Sequence, residues 1–280
     1  MAGHTSFKAG GKARAMIIPK DTGELRRALS ALSKSELPYM VMGGGTNILV
    51  RDEGYGGCII RIGDAFSRIS VSGDIITAGA GAATADVAKA ALESGLTGME
   101  FASGIPGSLG GAVFMNAGAY GGEIKNIVDS VSVISKDGQN EYTLDKDELK
   151  FSYRHSSLME TGDVAFSVAL KLTKGSREKI DNKMRELTGL RCEKQPVSMP
   201  SAGSFFKRPE GRFAGKLIQD CGLMGLSVGG AMVSDVHAGF IVNKGNATAA
   251  DIIDLMELVK NIVFDRYEVA LEPEVRIIGD

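Results

Sequence analysis

The sequence predicts an α+β fold, with strands and helices mixed in three successive groups along the chain. Short apolar segments typical of strands alternate with a few longer segments in which apolar residues recur at helical spacing. A length of 280 residues is enough for two or three small domains, each with its own core. The last group, residues 176–264, has its own helices and strand, which indicates a separate α+β lobe.

The first group reads as a β-α-β-β unit. A helix is predicted over residues 21–33, because four apolar residues share one helical face: Leu25, Ala28, Leu29 and Leu32. Strands are expected around this helix at residues 13–18, 38–42 and 58–62. Arg51, Asp52 and Glu53, between the last two strands, are expected in a solvated turn.

The second group contains one helix and several strands. Thr84 is predicted to cap a helix that ends at Ser94, with Gly95 as its C-terminal stop. The strands are predicted at residues 74–79, 128–135, 141–144 and 164–172. A Lys-Asp-Gly turn at residues 136–138 separates two of them.

A charged helix over residues 176–191 opens the third group. Thr248 and Asp251 have the spacing of a capping box, so a longer helix is predicted from Thr248 to about residue 264. The remaining elements are a short helix and two strands, predicted at residues 214–221, 239–242 and 274–278.

Composition and charge exclude several classes of protein. A formal net charge of −2 and a pI near 6.0 give no general basic field, so no nucleic-acid partner is expected. No apolar run approaches the ~18 residues of a membrane span, and the N-terminus lacks the apolar region of a signal peptide, so neither is expected. Three widely spaced cysteines fit reduced thiols in a cytosol. Three scattered histidines show no ligand spacing, so no metal is predicted.

Glycine is the compositional outlier, with 37 of 280 residues against a usual share of about 7%. Seven of these glycines fall in the Gly-rich segment, residues 103–123 (SGIPGSLGGAVFMNAGAYGGE). A backbone with few side chains lets a ligand approach closely, and successive N–H groups can form concave anion sites. A plain surface loop is the alternative, but a loop of this length without secondary structure is uncommon unless it binds something.

A second glycine turn follows the strand predicted at residues 38–42. Gly43-Gly44-Gly45-Thr46-Asn47 leads directly into apolar residues, which is typical of a phosphate-approach geometry. Neither glycine stretch matches the G-x-G-x-x-G dinucleotide fingerprint or the P-loop pattern. Two such turns favour a nucleotide-type ligand that is bound by neither a Rossmann fold nor a P-loop.

Three polar side chains are candidates for chemistry. Arg154 offers a planar guanidinium suited to a carboxylate or phosphate, although a surface salt bridge is the alternative. Ser204 lies between a glycine and two phenylalanines, where its hydroxyl could be held in a dry pocket or cap a loop backbone group. Glu274 begins the last strand, where it could act as an acid or be a solvated strand end. No G-x-S-x-G elbow supports a hydrolase triad.

Seven stretches, in order across nearly the whole chain, resemble the UDP-N-acetylenolpyruvoylglucosamine reductase family. They are HTSFKAGGKA (4–13), MGGGTNIL (42–49), GIPGSLGGAVFMNAGAYGGE (104–123), YRHSS (153–157), AGSFFKRP (202–209), GGAMVSDVHAGFIVN (229–243) and LEPEVRIIG (271–279). The long glycine stretch and AGSFFK are specific, whereas MGGGTN and LEPEV are weaker alone. The short spacing after YRHSS resembles the compact form of the family, without the extra tyrosine-bearing loop.

The resemblance implies an FAD-binding domain of the vanillyl-alcohol-oxidase type and a C-terminal α+β substrate-binding lobe. The implied segments are two FAD-binding subdomains (1–70 and 71–175), a substrate-binding domain (176–265) and a C-terminal strand returning towards the active site (266–280). FAD is expected to bind non-covalently. The residues implied for FAD binding come from the two glycine stretches: Gly43, Gly44, Gly45, Thr46, Asn47, Gly104, Ile105, Pro106, Gly107, Ser108, Gly110, Gly111, Asn116, Ala117 and Gly118.

The implied reaction uses NADPH as co-substrate to reduce a UDP-sugar enolpyruvyl ether in peptidoglycan precursor synthesis. By motif, Ser204 is the proton donor, Arg154 pairs with the substrate carboxylate, and Glu274 helps to polarise it. The residues implied for substrate binding are Tyr153, Arg191, Lys194, Lys207 and Arg208. The last of these stands where the resemblance leads us to expect asparagine.

The expected protein is a monomer in the cytoplasm. Two other functions remain open from the sequence. One is another FAD-linked oxidase or dehydrogenase of the same fold, which the glycine stretches would permit. The other is a non-enzymatic nucleotide-binding module, which would carry no flavin.

Overall fold

The computed structural model describes residues 1–279, and its contacts divide the chain into two compact units. Unit 1 consists of Met1–Arg14, Gly45–Gly56 and the part of the chain from Arg191 onward, and unit 2 consists of Ala15–Gly44 and Gly57–Leu190. Two short N-terminal stretches therefore join the C-terminal lobe in unit 1. The boundaries at residues 70, 175 and 265 stay predictions.

The predicted strands and helices occur in the predicted order, with further short strands and helices between them. The strands are β1 (Ala13–Ile17), β2 (Tyr39–Met42), β3 (Ile48–Val50), β4 (Tyr55–Arg61), β5 (Ile69–Ser72), β6 (Ile75–Gly79), β7 (Leu96–Thr97), β8 (Gly118–Ala119), β9 (Gly122–Glu123), β10 (Val128–Ile134), β11 (Glu141–Asp145), β12 (Val164–Lys171), β13 (Thr173–Lys174), β14 (Ser227–Val228), β15 (Ala231–Val233), β16 (Ile241–Asn243) and β17 (Arg276–Ile278). The α-helices are α1 (Thr22–Ser33), α2 (Thr84–Glu93), α3 (Leu109–Phe114), α4 (Leu158–Thr161), α5 (Arg177–Lys194), α6 (Ala214–Asp220) and α7 (Ala249–Tyr267). Within residues 1–279, no helix has the length and hydropathy needed to cross a membrane.

Unit 2 is built on a five-stranded antiparallel sheet in the order β11-β10-β12-β6-β5. One face of α2 contributes Val87, Ala88 and Ala91 to the core of this unit. A three-stranded sheet in the order β1-β4-β2 has β2 and β4 parallel, and the buried leucines of α1 belong to the same core cluster as Ile60 of β4. Burial of apolar side chains contributes about 1.5–3 kcal/mol for each large residue.

Unit 1 has its own core around α7. The apolar face of this helix is buried together with Phe7 and Phe205, which are fully buried and whose rings meet edge-on with centroids 6.1 Å apart. A short antiparallel sheet in the order β14-β15-β16 lies in the same unit. The last strand, β17, pairs in parallel with β3, so that Arg276 lies opposite Ile48.

Of the two helix caps predicted from local signals, the one at Thr248 is confirmed and the one at Thr84 is wrong. The Asp21 carboxylate accepts a hydrogen bond from the N–H of Glu24 (2.7 Å), and Thr248 and Asp251 form the predicted capping box. Thr84, by contrast, does not cap α2. It is the first helical residue, and its hydroxyl donates to the carbonyl of Gly107 (3.2 Å) because the Gly-rich segment lies against it.

The Gly-rich segment contains the helix α3, although the sequence predicted no secondary structure there. Ser108 caps this helix, since its hydroxyl accepts a hydrogen bond from the N–H of Gly111 (3.3 Å). A Cβ on Gly110 would lie 2.8 Å from the Cβ of Ala80, so only glycine permits this approach. Because glycine has low helix propensity, the local sequence pattern did not predict this helix.

Residues 51–53 are exposed and include a turn, as expected, but Asp52 also has a structural role that was not predicted. Its carboxylate oxygens accept hydrogen bonds from the N–H groups of Ala249 (2.9 Å) and Ala250 (2.8 Å) in the first turn of α7. A negative charge at a helix N-terminus is stabilising because it satisfies unpaired donors and meets the positive end of the helix dipole. The pairing links residues about 200 apart in sequence, so no local pattern could predict it.

Candidate active site

The two glycine stretches meet in unit 2. A Cβ on Gly43 would lie 2.0 Å from the hydroxyl oxygen of Ser108, and a Cβ on Gly44 would lie 3.0 Å from the Cα of Gly107. Gly43 therefore packs against the Ser108 side chain and Gly44 against the Gly107 backbone, with no room for a Cβ at either glycine. The structure brings together two of the stretches that the sequence predicted to bind one ligand.

A third stretch, residues 79–84, supports the Gly-rich segment. The carbonyl of Gly107 accepts a hydrogen bond from the N–H of Thr84 (3.0 Å). The carbonyls of Ala80 and Ala82 accept from the N–H groups of Gly110 and Leu109, respectively, both at 2.8 Å. This stretch was not among the residues that the sequence predicted for the site. Its run of small residues, GAGAAT, is the signal that could have indicated it.

The backbone at this meeting point suits a phosphate-bearing cofactor. Among residues 1–279, no protein acceptor takes a hydrogen bond from the N–H groups of Gly44 and Gly107. Unpaired backbone donors in adjacent glycine turns are the groups that bind anions such as a pyrophosphate. Gly104, Ile105 and Pro106 lead into this point, and the N–H of Ile105 donates to the carbonyl of Ala102 (3.0 Å).

The second half of the Gly43–Asn47 turn belongs to unit 1. Gly45 has a left-handed backbone (φ +66°), and a Cβ there would lie 2.2 Å from the carbonyl oxygen of His4. Thr46 is half-buried. The side chain of Asn47 donates from Nδ2 to the carbonyl of Glu274 (3.1 Å), and its own carbonyl accepts from the N–H of Arg276 (3.0 Å). This part of the turn therefore holds the segment that carries a predicted catalytic residue.

Asn116 has a side chain that is fully buried and bonded within the protein. Its Nδ2 donates to Glu123 Oε2 (2.9 Å) and to the carbonyl of Ser152 (2.8 Å), and its Oδ1 accepts from the N–H of Lys125 (3.0 Å). Of the residues implied for FAD binding, this one has its side chain committed to holding the end of the Gly-rich segment. Ala117 and Gly118 follow it, and Gly118 opens the β8–β9 hairpin.

Glu123 connects this network to Arg154 through charge. Its carboxylate lies 3.0 Å from the ammonium of Lys125. Burial by itself raises the pKa of Glu123, but hydrogen bonds from Lys125 and Asn116, with the charges of Lys125 and Arg154, outweigh burial and hold that pKa below its ordinary value. Glu123 is therefore ionised at neutral pH, and its charge acts on the guanidinium of Arg154.

Arg154 lies on an unusual stretch of backbone in unit 2. Its φ is +54°, a left-handed value that costs free energy for a residue with a side chain. The guanidinium carbon lies 5.0 Å from the centroid of the Tyr153 ring, and Nη2 lies 3.5 Å from the carbonyl oxygen of Gly118. The ring of the half-exposed Tyr153 thus packs against the Arg154 guanidinium, which the sequence predicts to bind the substrate carboxylate.

Ser204 and Glu274 lie on neighbouring segments of unit 1. Ser204 is exposed and follows Gly203 (φ +78°), whereas Phe205 after it is fully buried. The N–H of Glu274 donates to the carbonyl of Phe205 (2.8 Å), and Glu274 itself is half-buried. A buried anchor next to an exposed hydroxyl gives Ser204 a defined position beside the strand entrance of Glu274.

The cations implied for substrate binding also lie in unit 1. Lys207 forms an ion pair with Glu272, and Arg208 stacks its guanidinium 4.5 Å from the centroid of the Phe213 ring. Arg191, near the end of α5, donates from Nε to Gln195 Oε1 (2.9 Å), and Lys194 is exposed in the last turn of that helix. These side chains are presented on two separate segments, the end of α5 and residues 207–208.

Comparison with known proteins agrees with this geometry. Residues 13–141 match the family model described as an FAD binding domain, and residues 195–278 match the model described as the C-terminal domain of UDP-N-acetylenolpyruvoylglucosamine reductase. Relatives of that name are 48% identical in Alkaliphilus oremlandii, over 100% of this chain and 92% of the relative, and 48% in Latilactobacillus sakei, over 99% and 90%.

A solved structure gives the same result. The UDP-N-acetylenolpyruvylglucosamine reductase of Thermus caldophilus matches with a TM-score of 0.85 and 37% identity, over 99% of this chain and 96% of that one. The matched family models and relatives therefore define an FAD-dependent oxidoreductase with a C-terminal α+β lobe, as predicted. Within that class, the chain belongs to the UDP-N-acetylenolpyruvoylglucosamine reductase family.

Proposed function

We propose that this protein uses NADPH to reduce UDP-N-acetylglucosamine enolpyruvate to UDP-N-acetylmuramate, in peptidoglycan precursor synthesis. The names of relatives that are 48% identical over nearly their full length support the substrate. The structural observation that supports the proposal is the backbone hydrogen bond from Glu274 to Phe205, because it joins the segment of Glu274 to the segment that carries Ser204. The proposal includes action as a monomer in the cytoplasm.

Non-covalent FAD would be held by the backbone of the two glycine stretches. The residues proposed for this role are those implied by the sequence, with the N–H groups of Gly44 and Gly107 as donors to the phosphates. Asn116 contributes through its backbone and by fixing the segment, since its side chain is bonded elsewhere. When bound, FAD supplies hydride-transfer chemistry between NADPH and the enolpyruvyl double bond.

The residues of this chain complete the reduction. Arg154 pairs with the substrate carboxylate, where negative charge grows once the methylene carbon has been reduced. Glu274 helps to polarise that carboxylate. Ser204 donates the proton to the neighbouring carbon, which saturates the former double bond. A serine hydroxyl is a weak acid in water, so proton transfer needs the enolate to form directly beside it.

Substrate binding is proposed for Tyr153, Arg191, Lys194, Lys207 and Arg208. The diphosphate of the nucleotide carries negative charge that suits guanidinium and ammonium groups. Stacking on Phe213 holds the Arg208 guanidinium in one orientation. A guanidinium held in this way is suited to bind a phosphate, although the resemblance leads us to expect asparagine at this position.

A spectrum and a coupled turnover assay test the proposal. Purified protein, with FAD added if needed, is expected to show flavin absorption. It is also expected to oxidise NADPH only when UDP-N-acetylglucosamine enolpyruvate is present, and NADH in parallel reports the nucleotide preference. Oxidation of alcohols with oxygen as acceptor would instead favour an oxidase of the same fold. A protein that remains colourless after FAD is added would favour a non-enzymatic nucleotide-binding module.

A further inference from the structure

A closed turn in unit 1, residues 234–240, holds the imidazole of His237. The buried hydroxyl of Ser234 accepts hydrogen bonds from the N–H groups of Val236 (3.1 Å) and His237 (3.3 Å). The N–H of Phe240 donates to the carbonyl of His237 (3.0 Å), and that of Ser234 donates to the carbonyl of Phe240 (2.9 Å). The backbone that carries His237 is therefore fixed by four hydrogen bonds. These bonds make the turn more rigid than an ordinary surface loop.

The imidazole ring is fixed as well. A Cβ on Gly239 would lie 3.0 Å from its Cε1, and a Cβ on Gly215 would lie 3.2 Å from the same atom, so two glycines make room for the ring. The ring of Phe240 meets it edge-on with centroids 5.0 Å apart. Nδ1 accepts a hydrogen bond from the N–H of Gly239 (3.0 Å), which requires a neutral ring with its proton on Nε2. Burial lowers the pKa of His237 and so favours this neutral form.

The bond to Gly239 continues toward Ser204. The carbonyl of Gly239 accepts a hydrogen bond from the N–H of Phe205 (2.8 Å), and the carbonyl of Phe205 accepts from the N–H of Glu274 (2.8 Å). Glycine has more backbone freedom than any other residue, so its carbonyl direction depends on what restrains it. The imidazole of His237 restrains the N–H of Gly239, the residue whose carbonyl holds Phe205 directly after Ser204.

We propose that His237 is a positioning residue that fixes Ser204 beside Glu274 through its hydrogen bond to Gly239. The inference rests on the proposed function of Ser204 as proton donor. In that reaction His237 has no contact role of its own. Proton donors are sensitive to placement, because a displacement of about 1 Å in a reacting group can reduce turnover about 10²-fold.

Three substitutions separate positioning from bulk packing. His237→Asn keeps an acceptor, because Oδ1 of asparagine takes the place of Nδ1 along the side chain. His237→Leu has the same branching with a methyl group in place of the acceptor. His237→Gln keeps an acceptor but moves it one bond further from the backbone, and it replaces the leucine variant if that variant fails to fold. All three are made in the full chain with FAD bound.

Two half-reactions and one hydrogen-exchange measurement give the readouts. We expect NADPH to reduce the bound flavin of all three variants at the wild-type rate. Reoxidation by UDP-N-acetylglucosamine enolpyruvate should slow about 10²-fold in His237→Leu and His237→Gln, and less than about 3-fold in His237→Asn. Amide exchange at Phe205, measured without substrate, should be faster in His237→Leu than in wild type. Adding His237→Leu to Ser204→Ala should cause no further loss, because both act through one group.

The outcomes separate this inference from the proposed function. Wild-type protein that does not reduce the enolpyruvyl nucleotide overturns the function, whereas exchange at Phe205 still tests the hydrogen-bonded connection. An active wild type with equal reoxidation rates in all three variants overturns the positioning role. Equal slowing of both half-reactions, equal losses in His237→Asn and His237→Leu, or unchanged exchange at Phe205 overturns it as well.

Discussion

Asn116 and Ser152 are joined by a hydrogen bond of 2.8 Å from the side-chain Nδ2 of one to the carbonyl of the other, although 36 residues separate them. The bond ties the end of the Gly-rich segment to the residues that precede Arg154. The same Nδ2 donates to Glu123, so one buried amide connects the predicted cofactor segment with the predicted carboxylate-binding arginine.

Asn116→Asp should destabilise the protein by about 1–3 kcal/mol, because a carboxylate would face the Ser152 carbonyl and the Glu123 carboxylate without a donor between them. The measurement is the midpoint of urea unfolding at neutral pH. Asn140→Asp, at an exposed position, is the matched control and should leave the midpoint nearly unchanged. Equal midpoints for both variants would contradict this account of Asn116.

Ser204→Ala should leave reduction by NADPH intact and slow reoxidation by the enolpyruvyl nucleotide about 10²–10⁴-fold, since it removes a positioned proton donor. Stopped-flow absorbance of the flavin measures both half-reactions separately. Ser201→Ala, in the same loop but outside the predicted site, is the control. Wild-type rates in both half-reactions would show that the serine has been assigned wrongly.

Arg154→Lys keeps the charge but removes the planar fork, so it should raise KM for the enolpyruvyl nucleotide and lower turnover about 10²-fold. Steady-state kinetics with that substrate measure both effects. Arg177→Lys, at an exposed position in α5, should behave as wild type. Kinetics unchanged by the Arg154 substitution would place this side chain outside the site.

Glu274→Gln should slow the second half-reaction, whereas Glu272→Gln should have a small effect. Glu272 is exposed and paired with Lys207, and such surface pairs contribute about 0–1 kcal/mol. Glu274 instead lies against the segment that carries Ser204. Flavin reoxidation rates for the two variants decide the assignment, and the reverse order of effects would make Glu272 the functional acid.

Asp52→Ala should destabilise unit 1 by about 0.5–2 kcal/mol, because two N–H groups in the first turn of α7 lose their acceptor. Thermal unfolding measured by circular dichroism is the test. The neighbouring Glu53, which is also exposed, provides the control Glu53→Ala. A loss of equal size in both variants would argue against a capping role for Asp52.

The sequence by itself determined those features that a few neighbouring residues encode. The cap at Thr248 and the apolar face of α1 depend on hydrogen bonds and spacings within one or two helical turns, so local pattern was sufficient. The two glycine stretches were also recognisable, because a backbone without side chains has a compositional signature.

Tertiary structure alone decided which distant groups meet. The cap that Asp52 provides for α7, the hydrogen bond from Asn116 to Ser152, and the connection from His237 to the Ser204 segment all join residues that are far apart in sequence. The same is true of α3, whose glycine-rich sequence disfavours a helix in isolation and is held as one by contact with Ala80. Such contacts form only when the whole chain buries its cores. The free energy of that burial depends on residues far apart in sequence, so no short segment predicts it.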